Sequence, residues 1–259
     1  MTYEPVYTRT PRNAFVPSPV FVGIVAVFVV SGVMTWSHFG NVKVDVFLFI
    51  VTGWLVSLCL HEYAHALAGF FSGDKTVADR GYLRLNPLKY THPLLSIVLP
   101  LVIVVLGGIG LPGGAVWVDR HHLRGRSWDS FVSFAGPAMN ILFTLLLVVP
   151  FAVGVNVEAH PDFWAAVAFL AFLQLTASVL NLMPIPGVDG GNLIEPWLPP
   201  DWQRGFAKVA PFGMLLLFAL LWEPRINRAF FWFVFTIADA LGLPSDLYAE
   251  GFSLFRFWT

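Results

Sequence analysis

Cysteine and charge are scarce in this sequence. Cys59 is the only cysteine among 259 residues, which excludes an internal disulfide framework and a zinc site built from cysteine thiolates. Charged residues make up 12% of the chain, about half of the roughly 25% that is usual in soluble domains. The formal net charge is −1, so no basic surface indicates a nucleic-acid partner. These absences favour a membrane protein.

Apolar residues dominate instead, at 57% of the chain, and the mean hydropathy is +0.71. Bilayer-spanning helices need about 20 such residues, and apolar runs near this length lie at 20–36, 46–72, 94–111, 130–153, 163–183, 206–222 and 229–242. The sequence therefore predicts an all-α polytopic membrane protein with about six transmembrane helices. We expect one membrane-embedded domain over 1–259, with a core at about 45–200, an N-terminal segment and retained first helix (1–44) and C-terminal helices (201–259).

The loop charges predict how the chain crosses the membrane. The segments 73–93 and 112–128 are basic, whereas 154–162 contains acidic residues and no lysine or arginine. The positive-inside rule then places the N-terminus and both basic segments on the cytoplasmic side, and 154–162 on the other. The run 94–111 must enter and leave on one side, which predicts a re-entrant hairpin. The alternative is an ordinary span that violates the charge bias.

A metal-binding motif, His61-Glu62-Tyr63-Ala64-His65, lies inside the apolar run 46–72. Histidines four residues apart share one helix face and suit two ligands of one Zn²⁺, while Glu62 is free to act as general base. An ionisable residue in a spanning segment is a functional candidate by default. The motif in this setting predicts an intramembrane metalloenzyme with one zinc ion per chain.

A catalytic zinc normally has a third protein ligand, and Asp189 is the best candidate. It follows the apolar run 163–183, where Pro184 and Pro186 stop the helix. Irregular backbone at membrane depth is tolerated only where it is packed in protein or lines a wet cavity. With 94–111 re-entrant, the runs 46–72 and 163–183 have the same direction, so Asp189 reaches the depth of His61.

The combination of motifs resembles the site-2 protease family of intramembrane zinc metalloproteases. The resemblance rests on two motifs. One is the His-Glu-x-x-His motif, and the other is the segment in which Asn181, Pro184 and Asp189-Gly190 match the family's Asn-Pro-Asp-Gly signature. Gly136-Pro137 followed by Asn140 is similar to the family's Gly-Pro…Asn helix start. Leu85-Asn86-Pro87-Leu88 with His92-Pro93 is similar to the small subgroup without PDZ or CBS domains.

The resemblance covers about residues 45–200 and implies specific roles. His61, His65 and Asp189 bind zinc, and Glu62 is the catalytic base. The implied activity is hydrolysis of peptide bonds within or near transmembrane segments of membrane-protein substrates, in regulated intramembrane proteolysis. The implied location is the cell membrane, with a multi-pass chain and an active site nearer the cytoplasmic side.

Two asparagines are candidate substrate-binding residues. Asn181 precedes the Pro184 turn, where it either donates to the substrate backbone or caps the turn. Asn140 either contacts substrate or packs helices. We also predict a small membrane-embedded β-hairpin or sheet near the active site, from the strand-like composition of 82–85 and 115–118. Its exposed edge would bind an unwound substrate; the alternative is a pair of interfacial loops.

The expected partners are a transmembrane protein substrate and the lipid bilayer, with no nucleic acid. A homo-oligomer or a gating partner is left open by the sequence. Two further classes place ionisable residues in apolar helices: a metal or ion transporter, and a catalytically inactive membrane-bound relative. Neither class requires a glutamate directly after a ligand-spaced histidine together with a glycine-flanked aspartate downstream.

Overall fold

Apolar helices make up most of the computed structural model, which describes residues 10, 12–90, 102, 116–256 and 258. Its α-helices are α1 (Pro19–Ser37), α2 (Val42–Ser72), α3 (Thr76–Asp79), α4 (Arg126–Ala152), α5 (Pro161–Asn181), α6 (Asp189–Ile194), α7 (Pro200–Val209), α8 (Gly213–Trp222), α9 (Pro224–Ala240) and α10 (Ser245–Phe255). By length and composition, α1, α2, α4, α5 and the stretch Pro200–Trp222 can each cross a membrane. The pair α9 and α10, bent by 117°, can supply a sixth crossing. For the described residues, the predicted helical architecture is confirmed, with five or six stretches that could each cross a membrane.

Local sequence sets the starts of the long helices. Ser18 caps α1, because its hydroxyl accepts a hydrogen bond from the Phe21 N–H and Pro19 occupies the first turn. Asn41 caps α2 in the same way, through the N–H groups of Lys43 and Val44. The 31 residues of α2 therefore begin well before the apolar run, and the helix carries both histidines of the motif.

Helix directions follow from side-chain pairs along α2. Phe49 lies against Phe163, with ring centroids 5.7 Å apart, and Ser57 lies against Gln174. The residue numbers of the paired side chains increase in the same direction along both helices, so α2 and α5 are parallel. By contrast, Asn140 lies beside Ser57 and Val132 beside His65, so α4 is antiparallel to both. Buried apolar residues such as Ile50, Leu170 and Phe255 form the core between α2, α5 and α10.

The basic segments meet at one end of the helix bundle. The backbone N–H of Arg124 donates to the carbonyl of Ser72 at the end of α2, over 3.2 Å, and the N–H of Ser18 at the start of α1 donates to the carbonyl of Arg84. At the opposite end, the His160 ring stacks on Trp36. The chain between α2 and α4 thus leaves and returns at the same end, as a re-entrant segment requires. Apart from residue 102, residues 94–111 themselves lie outside the described residues.

The predicted β-hairpin is wrong for the part of the chain that the structure describes, which contains no strand. Residues Tyr82–Arg84 form a 3₁₀ turn between Gly81 and Leu85, both with positive φ, so this segment cannot extend into a strand. Residues 116–119 have no regular structure, and the Val116 N–H donates to a carboxylate instead of a neighbouring strand. The side chains of Tyr82 and Leu83 are buried, at 7% and 0% exposure, and this burial accounts for the apolar pattern of the segment.

Candidate metal centre

The two histidines of the motif and Asp189 meet at one point. His61 Nε2 lies 3.1 Å from His65 Nε2, and Asp189 Oδ2 lies 3.2 and 3.4 Å from these two nitrogens. Ligands about 2.0–2.1 Å from a tetrahedral Zn²⁺ are separated by about 3.3 Å from one another. The three donor atoms therefore have the mutual spacing of one zinc coordination shell, as the sequence predicted for this trio.

Asp189 reaches the histidines because α5 ends just before it. The chain turns at residues 182–188, and Asp189 is the first residue of α6. The turn is tight: a Cβ on Gly190 would lie only 2.3 Å from the carbonyl oxygen of Leu182.

The backbone of α4 orients one of the ligands. His65 Nδ1 lies 2.6 Å from the carbonyl oxygen of Val132, an acceptor that requires the Nδ1–H tautomer. The lone pair of Nε2 then faces His61 and Asp189, as metal ligation requires. Sequence reasoning missed Val132, because a backbone carbonyl carries no residue-type signal.

Gly136 gives the metal group its space. A Cβ at this position would lie 2.2 Å from His65 Nε2 and 2.6 Å from His61 Nε2, far inside van der Waals contact. Only a glycine lets α4 pack this close to both histidines. Its position in the Gly-Pro…Asn segment was visible in the sequence, but its contact with the ligands was not.

Glu62 lies beside the ligand group without belonging to it. Its side chain is 2% exposed, and Oε1 is 4.0 Å from His61 Nε2. The other oxygen, Oε2, accepts a hydrogen bond from the backbone N–H of Val116, over 2.9 Å. The carboxylate is thus held next to the site with one oxygen directed towards the donor atoms.

A cleft of about 490 Å³ opens onto these residues. Its walls come from four parts of the chain, namely α2, the segment 116–121, α4 and the region from Asn181 to Met214. Asn181 lines this cleft, as a substrate contact would. Asn140 is not among the described residues that line it; its side chain lies beside Ser57, between α4 and α2. Both substrate-binding assignments stay predictions.

One wall of the cleft is held by a buried carboxylate that sequence reasoning missed. Asp74 has 0% exposure and follows the sharp C-terminal turn of α2 at Gly73. Its Oδ2 accepts from the Asp119 N–H over 2.7 Å, and Oδ1 accepts from the N–H and hydroxyl of Thr76. Asp74 therefore ties the cleft segment 116–121 to the helix that carries the histidines. Asp74 is one of two acidic residues in a basic loop, and its residue type gave no signal of this role.

A helix long and apolar enough to cross a membrane buries two histidines and a separate glutamate, and a half-buried aspartate completes the group at one cleft. This arrangement is that of a multi-pass membrane metalloenzyme. The chain is 45% identical to "Putative zinc metalloprotease Rip2" of Mycolicibacterium smegmatis, across 97% of this chain and 98% of the relative. It is 43% identical to the protein of the same name in Mycobacterium tuberculosis, across 96% of both. "Putative zinc metalloprotease YwhC" of Bacillus subtilis is 28% identical over 68% of this chain and 81% of its own length.

The chain belongs to the family of the zinc metalloprotease Rip2. No protein-family model matches it, and no solved structure matches it.

Proposed function

We propose that this protein is an intramembrane zinc metalloprotease of the site-2 type, which hydrolyses peptide bonds within or near transmembrane segments of membrane-protein substrates. One observation carries the proposal: His61, His65 and Asp189 present a three-donor group, and the buried Glu62 carboxylate lies beside it in a cleft between spanning helices.

The donor set fits zinc and leaves a place for catalysis. Two imidazole nitrogens and one carboxylate oxygen are three protein ligands, the number found in catalytic zinc sites. When bound, zinc supplies Lewis-acid activation of water and of the scissile carbonyl. Glu62 is 4.0 Å from the nearest donor nitrogen, so its carboxylate is available to take a proton from the attacking water and pass it to the leaving amine.

Asn181 is the proposed substrate contact of this site. Its side chain is 5% exposed and lines the cleft at the end of α5. A side-chain amide there can donate to a backbone carbonyl of the substrate or to the developing oxyanion. Asn140 remains the weaker candidate, since its neighbour is Ser57.

The membrane setting restricts which substrates the site can cleave. A spanning helix hides each carbonyl in a backbone hydrogen bond, and leaving such a bond unmade in lipid costs several kcal/mol. A substrate must therefore unwind before its carbonyl can reach the donor group. We propose transmembrane segments with helix-weakening residues near the cut as the substrate class.

The location proposed is the cell membrane, with the site nearer the cytoplasmic face. His65 is seven residues before the end of α2 at Ser72, or about 10 Å at a rise of ~1.5 Å per residue. The start of α2 at Val42 lies 23 residues away, about 35 Å on the same scale. The near end is the one where the basic segments meet, and basic segments favour the cytoplasmic side.

Glu62→Gln tests the function directly. Membranes containing wild-type protein should yield a shortened single-span substrate, and those containing Glu62→Gln should accumulate the intact one. Glu250→Gln, on the exposed face of α10, is the matched control and should behave as wild type. Identical fragment patterns in the wild type and Glu62→Gln would contradict the proposal, and zinc transport without cleavage would favour a transporter.

A further inference from the structure

Three buried polar side chains from three helices meet next to the metal group. They are Ser57 on α2, Asn140 on α4 and Gln174 on α5, exposed by 2%, 5% and 1%. The Ser57 hydroxyl lies within hydrogen-bonding distance of the Gln174 side-chain amide and 3.5 Å from Asn140 Oδ1. No other side chain of α2 makes a described hydrogen bond to a side chain of α5.

Each member of this polar trio shares a helix face with a residue of the site. Ser57 precedes His61 by one turn, and Asn140 follows Gly136 by one turn, since four residues make about one turn of helix. Gln174 precedes Asn181 by seven residues, about two turns. The trio thus lies about one turn from the metal group along α2 and α4, and about two turns from the cleft residue Asn181 along α5.

The hydrogen bonds of the trio favour one arrangement. Ser57 has a single hydroxyl proton, yet both neighbouring amides present an oxygen to it. Gln174 Nε2 is buried and has no hydrogen-bond partner among the described residues. Turning the Gln174 amide resolves both problems: Nε2–H donates to Ser57 Oγ, and the Ser57 hydroxyl donates to Asn140 Oδ1. The result is a continuous chain of hydrogen bonds across α5, α2 and α4.

Apolar packing alone leaves the alignment of α2 and α5 loosely specified. Contacts such as Phe49–Phe163 and those of Leu170 are non-directional, whereas a buried polar pair has one satisfied register. The alignment matters because α2 carries His61 and His65, whereas α5 delivers Asp189. A shift of one residue would move the carboxylate by about 1.5 Å along the axis, enough to spoil the 3.2 and 3.4 Å donor distances.

We infer that Ser57 and Gln174, with Asn140, are positioning residues that set the register between the histidine helix and the aspartate helix, and so the geometry of the metal site. This inference rests on the proposed zinc chemistry. It gives Asn140 a role behind the ligands rather than against the substrate, and it assigns a role to Gln174, which no motif contains.

The test uses the full-length protein with Co²⁺ in place of zinc, because the visible d–d bands of cobalt report ligand geometry. The variants are Ser57→Ala, Gln174→Leu and the double variant, with Ser57→Thr as the rescue that keeps the hydroxyl. Thr176→Val is the matched control: its buried hydroxyl bonds only the Phe172 carbonyl of its own helix.

We expect Ser57→Ala and Gln174→Leu to shift the cobalt bands and to weaken zinc binding about tenfold, the lower end of the effect of residues that orient metal ligands. The double variant should change the cobalt bands and the zinc affinity little more than either single variant does. The reason is that each of the three variants breaks the same chain of hydrogen bonds. Ser57→Thr and Thr176→Val should keep the wild-type spectrum and affinity.

Wild-type cobalt bands and zinc affinity in Ser57→Ala would overturn the inference, even if the variant unfolds at a lower temperature. Ser57→Ala is the smallest change, so its cobalt bands and zinc affinity decide whether the polar trio sets the geometry of the metal site if Gln174→Leu does not fold. In that outcome the proposed function stands, since wild-type zinc binding and proteolysis are unaffected. A wild-type protein that binds neither metal would overturn both.

Discussion

The Glu62 carboxylate accepts a hydrogen bond from the backbone N–H of Val116, 2.9 Å away, and this contact links the proposed base to the wall of the cleft. Val116 belongs to the segment that Asp74 holds through the Asp119 N–H. The base is therefore fixed by its own helix on one side and by a tethered segment on the other.

Glu62→Gln should keep its zinc and lose proteolysis. The amide retains the shape of the side chain but cannot accept a proton, so we expect the turnover rate to fall by about 10²–10⁴-fold, the usual contribution of a general base. Zinc content and cleavage rate, measured on one preparation, check this. Loss of zinc from Glu62→Gln would make the glutamate a ligand and contradict its assignment as base.

Gly136→Ala should abolish metal binding. The added methyl group would lie 2.2 Å from His65 Nε2, so either α4 or the imidazole must move. Gly23→Ala is the control, since a Cβ at Gly23 on α1 meets no atom within 4 Å. We expect equilibrium dialysis to show zinc in Gly23→Ala and none in Gly136→Ala. Zinc at wild-type affinity in both variants would show that α4 does not confine the ligands.

Asp74→Ala should loosen the wall of the cleft. It leaves the half-buried N–H groups of Asp119 and Thr76 without their acceptor, and a hydrogen bond to a charged group contributes about 1.5–3 kcal/mol. We expect faster hydrogen exchange at residues 116–119 and a lower unfolding temperature. Asp201→Ala, which removes an exposed pair with Arg204, should cost at most about 1 kcal/mol. Unchanged exchange at 116–119 would rule out the tether.

Lys89 and Arg124 should lie on the same side of the membrane, and Glu158 on the opposite side. The bundle places the first two at the end where α2 stops: Lys89 lines a pocket together with Arg84, and the Arg124 N–H donates to the Ser72 carbonyl. Single cysteines at these exposed positions, in a Cys59→Ser background, can be labelled with an impermeant reagent. Labelling of positions 89 and 124 from opposite sides would contradict this arrangement.

Much of the fold was predictable because spanning helices need long apolar runs. The runs 20–36, 46–72, 130–153 and 163–183 correspond to α1, α2, α4 and α5, and the structure extends them through caps such as Ser18 and Asn41. The metal trio was predictable because ligand chemistry limits the residue types. The helix α10 was missed because only 11 residues form it, too few to give a spanning signal.

The supporting residues could not be predicted, for a different physical reason. Val132 acts through its carbonyl, Gly136 through the absence of a side chain, and Gln174 through a partner 117 positions away. The β-hairpin was predicted wrongly because the apolar pattern at Tyr82 and Leu83 is also typical of a strand. These side chains are instead buried from within a 3₁₀ turn. Composition alone does not separate these cases.

The zinc content of purified Asp189→Ala protein shows whether this aspartate completes the metal site. Asp189 is 124 positions beyond His65 in the sequence and meets it only through the fold, with 3.4 Å between their donor atoms. We expect about one zinc per wild-type chain, held at this three-ligand site, and a stoichiometry near zero for Asp189→Ala. Asp201→Ala, the same change on the surface, should bind as wild type does. Equal zinc content in the wild type and in Asp189→Ala would contradict the assignment of Asp189 as the third zinc ligand.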